Sequence, residues 1–579
     1  MDVPVLSQQT RAAALQEMAD GPQLDVLVIG GGVTGAGIAV DAATRGLRVG
    51  IVEAQDWAAG TSSRSSRLIH GGLRYLYQLD FKLVAESLRE RGLLLTRNAP
   101  HLVKAQPLLW PLRIPIIERL YSAVGVGIYD VIAQLTNPRS VPTQRHLTRS
   151  GALELSPALK PTSLRGAIVY YDARVDDARL VVTLVRTAVR RGALAANRTQ
   201  VVEVTKNGRG RVTGAILQDL ETGRQFTVRA RHIINATGVW TESTQRLAAA
   251  DAGLRVLASK GIHLVIPRDR IDSEVGLFLR TEKSVLFMIP WDRFWLIGTT
   301  DTKYDLDPEN PVATSADIDY LLERANTVLK TPLTRDDIIA TYAGLRPLLQ
   351  PGVIDETQSA KVSREHTVAE VAPGMSAIAG GKLTTYRQMA QDAVNFALGP
   401  KESRLRPSVT KNTPLEGAKG YRELWARRGA LAEKSGLTVQ QIEHLLNRYG
   451  SNVGAILQAI RERPDLGASL GGAPEYLRAE VAFAITHEGA LHLEDIMERR
   501  IRLAVENPAA GAAALPEITD LAAELLGWDA ATAAEEAANY DAIQRAVRCA
   551  ATMESDAEAQ SVRDGVGSLP PLAVAAPEM

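Results

Sequence analysis

Thiol chemistry has almost no foothold in this chain. Its 579 residues hold one cysteine, Cys549. A lone thiol closes no intrachain disulfide and suits a reducing cytosol. Cys549 falls in an expected C-terminal helix, far from any motif, and reads as a small packing residue. No CxxC pair, no H-E-x-x-H and no nucleophile-elbow serine motif occurs. His487, Glu488, His492, Glu494 and Asp495 cluster in sequence without metal-ligand spacing, so helical charge explains them and no metal is expected. Net charge is missing too: 66 Lys and Arg balance 66 Asp and Glu, which removes the basic surplus of a nucleic-acid binder. No run of about twenty apolar residues occurs, so nothing spans a bilayer. Residues 1–23 carry acids and no continuous apolar core, which excludes a signal peptide there. They are expected to form a polar, poorly ordered leader with some helical character around 11–18.

What is present begins at residue 24. The run LDVLVI over 24–29 stops at glycines, as a parallel strand buried on both faces does. Small and apolar residues over 35–44 allow a helix, and 47–52 reads as a second strand ending at Glu53. The three make a βαβ unit. Further strands are expected at 166–171, 200–205, 211–217, 225–228, 231–236 and 375–379. Two aromatic and β-branched clusters, 261–267 and 285–298, predict a second, largely antiparallel sheet, and 315–329 reads as a helix. Beyond about Pro407, Val439, Ile442, Leu445, Leu446 and Tyr449 start a series of helical periods. The length suits roughly three or four compact units.

Residues 30–37, GGGVTGAG, contain G-x-G-x-x-G at Gly30, Gly32 and Gly35. The pattern alone is weak. Here it follows a strand, opens a helix, and precedes a strand that ends in an acid. Gly30 permits the tight turn, Gly32 lets the backbone approach a pyrophosphate, and Gly35 lets helix and strand pack. The helix N-terminus offers free N–H groups to that anion. Glu53 sits where a carboxylate accepts hydrogen bonds from an adenosine ribose. NAD and FAD share this fingerprint, so the choice rests on 61–72, TSSRSSRLIHGG. Its hydroxyls, Thr61, Ser62, Ser65 and Ser66, could complete a pyrophosphate shell. Its paired glycines would let the chain pass close to an isoalloxazine ring. The apolar LIHGGLRYL that follows is not a solvated loop.

Taken in order, GGGVTGAGIA, TSSRSSRLIHGGLRYL, VDDARL at 175–180, NATG at 235–238, IGTTD at 297–301 and GGKLTTYR at 380–387 resemble the aerobic, FAD-dependent, quinone-linked glycerol-3-phosphate dehydrogenases. The resemblance covers about residues 24–400 and is looser beyond. It implies an α/β fold: a Rossmann-type FAD-binding domain, a mixed-sheet substrate domain and an all-α C-terminal domain. The FAD domain is expected over 24–90, 165–250 and 340–400, and the substrate domain over 91–164 and 251–339. A helical domain would follow over 405–552 and a disordered tail over 553–579. The implied reaction takes sn-glycerol 3-phosphate to dihydroxyacetone phosphate, with electrons passing through FAD to a membrane quinone. The alternatives are an oxidase that returns electrons to oxygen and an inactive flavin-binding scaffold.

By the same resemblance Arg74, Tyr75, Arg346 and Lys382 hold substrate, since a phosphate dianion needs cations in fixed geometry. Arg346 has no obvious acidic partner nearby in sequence. His263, in SKGIHLVIP, is nominated as proton acceptor; alternatively Lys382 or Arg346 depresses the alcohol pKa and water is the base. Gly238, Leu383, Thr384, Leu68 and His70 complete the expected flavin contacts, and His70 is the nearest candidate for a covalent link. Residues 108–132 mix apolar and aromatic side chains with Arg113 and Arg119. They read either as an interfacial membrane contact or as a core helix. The expected location is cytoplasmic, peripheral on the cytoplasmic face of the membrane, with room for a homo-oligomer.

Overall fold

A computed structural model of the chain describes residues 3–73, 80–113, 127–135, 140–248, 253–280, 285–350 and 366–567. Arg74 and Tyr75 lie outside the described residues, as do 114–126 of the expected interfacial segment and 568–579 of the expected tail.

The first sheet begins at Leu24–Ile29, buried at every position but Asp25. It pairs in parallel with Val49–Val52 and with Gln225–Asn235. Met375–Gly380 and Leu194–Ala196 extend the parallel set. The stretches 225–228 and 231–236, expected as two strands, form one: its first half pairs antiparallel with Val212–Asp219. From Val26 on, side chains alternate along the central strand, as strand geometry requires; Leu24, at its start, departs from the alternation. Val26 and Val28 enter a core shared with helices Val33–Thr44 and Asp177–Arg190. Leu24, Leu27 and Ile29 face the other way, onto Ala14, Leu15 and Met18.

Those last three residues correct the expectation of a disordered leader. Gln8–Asp20 is a helix with a Ser7/Thr10 capping box. Arg11 donates to the Asn197 carbonyl at 2.8 Å and pairs with Asp219. A parallel sheet needs cover on both faces, and this helix supplies it. The tail differs as well: Asp556–Asp564 is a capped helix whose Gln560 donates to the Asp307 carbonyl at 2.9 Å.

The second sheet runs in the order Thr302–Lys303, Val256–Pro267, Phe294–Gly298, Val285–Trp291, Gly276–Arg280, Lys104–Leu112, Gly166–Arg174 and Leu68–Ile69. Ala340–Leu349 pairs with Val256–Pro267 from Val256↔Leu349 to Val265↔Ala340. Residues 340–349 and 166–174 therefore belong to this sheet and not to the flavin sheet, where they were expected. Lys104–Leu112 is an interior strand, and Leu108, Leu109, Trp110 and Leu112 are buried. This part of the expected interfacial segment is neither membrane surface nor core helix. Pro107 and Pro111 disguise it, because proline in a run argues against a central strand.

The C-terminal helices share one core through residues such as Ile442, Leu446, Ile456, Phe483 and Ile518, with a small hairpin of Ser469–Leu470 and Ala473–Leu477. Cys549 is exposed on the Ala530–Ala550 helix and is not a packing residue. The His487–Asp495 cluster is not solvated helical charge either. His492 is fully buried, with Nδ1 2.8 Å from Glu536 and Nε2 3.1 Å from Glu221. Burial opposes its charge, yet the hydrogen bonds from Glu221 and Glu536 raise its pKa to about 10. A buried ionic web also joins the C-terminal domain to the flavin sheet. Asp56 accepts from Arg499 at 2.6 Å and from both terminal nitrogens of Arg500 at 2.7 and 2.8 Å.

Candidate active site

Glycine shapes the first wall. Gly30 adopts φ +110°, and a Cβ there would stand 2.7 Å from the Ala236 carbonyl. A Cβ at Gly35 would collide with the Gly30 carbonyl, so the helix starts directly behind the turn only with glycine at both places. Gly32 caps the helix and offers no side-chain cap of its own. The Val33 N–H donates to Ser62 Oγ at 3.0 Å, which brings the serine-rich loop onto the helix N-terminus. Glu53 folds back over the turn and accepts from the N–H groups of Gly31 at 2.6 Å and Gln55 at 2.8 Å. Burial raises its carboxyl above the ordinary 4.5, outweighing those two bonds, which act to lower it.

Removing that carboxylate is expected to weaken cofactor retention. For Glu53→Ala the loss is roughly 10- to 150-fold in dissociation constant, from about 1.5–3 kcal/mol for a charge-assisted hydrogen bond. Flavin fluorescence on dilution measures it. Unchanged retention would take Glu53 out of the cofactor site.

Both sheets line a cavity of about 790 Å³. From the first come Gly30, Gly32, Glu53, Thr61, Ser62 and Gly238. Ser65, Ser66, Leu68, His70, Lys382 and Leu383 continue the wall, and His263 and Arg346 face it from the second sheet. Gly35 and Thr384 stand behind it: Thr384 Oγ1 bonds the backbone N–H and C=O of His70, both at 3.1 Å. Arg198, Val201, Trp240, Thr244 and Phe287 also line the cavity and were not anticipated. Trp240 stands two positions beyond NATG, and that was the available signal. Arg198 and Val201 carry none, since backbone position brings them there.

Alternation on paired strands builds the second-sheet wall. His263 lies opposite Tyr342, Gly261 opposite Gly344, and Ser259 opposite Arg346. Six residues thus share one face. The two glycines leave a gap across which the Arg346 guanidinium and the Arg64 backbone pass, and a Cβ at either would strike them. Arg346 is not unpartnered. Its Nη1 is 3.4 Å from Asp301, and its Nη2 donates at 3.0 Å to Thr299 Oγ1 and to the Thr300 carbonyl. Lys382 Nζ donates to Ser87 Oγ at 3.1 Å.

The His263 ring stacks on Tyr342, centroids 4.8 Å apart and 13° between planes. Its Nε2 is 2.8 Å from Ser66 Oγ, while Nδ1 is buried without a hydrogen-bond partner. Burial first, then Arg346 and Arg67, lower its pKa to about 3. His263 is therefore neutral at every physiological pH. The kcat/KM profile is expected to show no limb from His263 near its ordinary 6.5. A His263→Asn variant that abolishes such a limb would contradict this.

These features suit FAD. The helix N-terminus at Gly32 would receive a pyrophosphate and the buried Glu53 carboxyl a ribose, and the walled cleft leads on to two cations and a neutral histidine. The family described as FAD dependent oxidoreductase matches residues 25–387, and the C-terminal domain of alpha-glycerophosphate oxidase matches 408–533. A glycerol-3-phosphate dehydrogenase of Mycobacterium leprae is 50% identical over 558 residues, covering 96% of this chain and 94% of that protein. The chain belongs to the FAD-dependent glycerol-3-phosphate dehydrogenase family. The human mitochondrial member is 37% identical over 545 residues, 90% of this chain and 73% of that protein. The solved glycerol-3-phosphate dehydrogenase of Bacillus halodurans, complexed with FAD, superposes with a TM-score of 0.74 at 29% identity, covering 92% of this chain and 96% of that one. As in the rest of this family, the cofactor is FAD.

Proposed function

We propose that the protein oxidises sn-glycerol 3-phosphate to dihydroxyacetone phosphate and passes the electrons to a membrane quinone. The carrying observation is the convergence of Arg346, Lys382 and neutral His263 on one cavity with the glycine turn and Glu53. FAD, when bound, supplies the hydride acceptor. Arg346 presents a planar fork for the phosphate dianion, held in position by Asp301, Thr299 and Thr300. Lys382, backed by Ser87, adds a second cation that favours the alkoxide over the alcohol. His263 is neutral but, with its pKa lowered to about 3, a weak base. Arg346 and Lys382 therefore carry the step by lowering the alcohol pKa, with water taking the proton. His263, bonded through Nε2 to Ser66, shapes the site. The test is anaerobic: glycerol 3-phosphate bleaches the flavin absorbance while equal glycerol does not, because remote phosphate binding orients the carbinol. Equal bleaching by both sinks the substrate assignment.

The quinone is supported by one surface. Ile128, Val131 and Leu135 are 37%, 58% and 79% exposed on a helical stretch covering 127–135. Spacings of three and four put them on one face, the pattern of an interfacial contact. Among the described residues no helix is long and apolar enough to cross a membrane. Serine at all three positions is expected to release the enzyme from lipid vesicles and slow quinone reduction. Turnover with a soluble acceptor should persist. Equal loss of both activities, or faster reoxidation by oxygen than by a quinone analogue in the parent enzyme, would overturn the membrane-quinone reading.

A further inference from the structure

A second cavity, of about 400 Å³, opens between the second sheet and the C-terminal helices. It lies behind the flavin loop: Arg64 lines both cavities, and Ser63, next to it in the chain, lines this one. Tyr342 lines it as well, and this is the ring that stacks on His263 and whose hydroxyl donates to the Ser65 carbonyl at 3.0 Å. Much of the remaining wall is apolar, including Val312, Ile318, Ile339 and Val547.

Charge on this wall is one-sided. Among the lining residues Arg64, Arg335, Arg502, Arg548 and Arg563 meet one acid, Glu498, while Glu494, just outside the lining, also acts on Arg64 and Arg563. Arg335 is committed to Asp319 at 2.8 Å, and Arg502 to Asp177 at 3.4 Å and to the Ser63 carbonyl at 3.0 Å. Glu498 is turned to Gln544 at 3.0 Å and Arg499 at 3.4 Å. Arg563 is only 8% exposed, and its Nη1 has no hydrogen-bond partner. A buried charged donor left unsatisfied is costly, and an apolar pocket with a few convergent polar groups is how small-ligand sites are built.

We propose that this cavity is a second ligand site, for an organic monoanion with a small apolar body, and that its occupancy is transmitted to the flavin loop through Ser63 and Arg64. The anion would take the free Arg563 donor, with Arg548 at the rim, while the apolar body lies against Val312, Ile339 and Val547. The class is an aromatic or short aliphatic carboxylate or sulfonate. Tyr342 and Ser63 then connect the occupant to the backbone that holds Ser65 and Ser66 beside His263.

The test uses the FAD-loaded enzyme and anilinonaphthalene sulfonate as probe. One saturable site is expected by fluorescence titration, accompanied by a shift in the visible flavin spectrum. Arg563→Gln should weaken binding about tenfold or more, and Ala551→Trp, which fills the cavity, should abolish it. Turnover without the probe should stay at the parent level in both. If Ala551→Trp fails to fold, Arg563→Gln decides alone. Absence of a saturable site, or binding unchanged by Arg563→Gln, overturns the site, since probe held elsewhere would not respond to that arginine. Saturable binding with an unchanged flavin spectrum overturns the coupling.

Discussion

Arg346→Lys should lower kcat/KM for glycerol 3-phosphate roughly 30- to 150-fold, from about 2–3 kcal/mol for hydrogen bonds to a charged group. Flavin content should stay at the parent level. Charge is retained, so a simple electrostatic role would leave a small effect. The expected loss comes from geometry. Arg346 spreads its bonds over Asp301, Thr299 and Thr300, which holds the guanidinium plane across the gap above Gly261. A lysine ammonium reaches one of those partners at a time and has no second edge for a bidentate phosphate contact. Steady-state kinetics against glycerol 3-phosphate is the measurement. A variant within twofold of the parent would reduce Arg346 to a structural partner of Asp301 and move the phosphate elsewhere.

The second large effect is expected far from the chemistry. Asp56→Asn should cost about 3–5 kcal/mol of unfolding free energy, the usual penalty for removing one partner of a buried ion pair. Arg499 would retain Glu494 and Asp495, but Arg500 would lose its carboxylate and keep only the Glu488 carbonyl. Burial works to raise the Asp56 carboxyl, and Arg500 and Arg499 nevertheless hold it below the ordinary 3.8. Its stabilisation is thus present above 3.8 and is lost as pH falls through the lower folded value. The deficit of the variant should accordingly be constant at neutral pH and shrink in strong acid. Denaturant titration measures it, and a cost below about 1 kcal/mol, as for an exposed pair, would show that docking rests on other contacts.

How far the sequence announced this molecule depends on the distance between partners. The glycine turn and Glu53 were legible because they work within a few dozen residues. The 380–387 motif, whose Thr384 and Lys382 reach His70 and Ser87 about 300 positions away, came only through the family likeness. The family likeness carried Arg346, Lys382 and His263, whose neighbours were illegible. Asp301 lies 45 positions from Arg346, and nothing local marks the pair. The same limit misassigned Ala340–Leu349, since strand partners are chosen across the chain. Glu494 and Asp495 read as helical charge, and Arg499 and Arg500 carried no signal at all, because Asp56 stands more than 440 positions away. The helical character of the leader was read at 11–18, but its packing was missed, because the sheet it covers is assembled from strands far along the chain.

That web has a consequence for biosynthesis. Arg502 grips the Ser63 carbonyl and Glu506 grips Arg67 at 2.9 Å, so the C-terminal domain braces both ends of the serine loop. Domains fold as the ribosome releases them, from the N-terminus onward. The glycine turn emerges first, yet the loop facing it stays unbraced until residue 506 has left the exit tunnel. Cofactor capture that depends on the braced loop is therefore expected only after residue 506 has emerged, and a nascent chain arrested at about residue 405 would carry the whole fingerprint without its clasp.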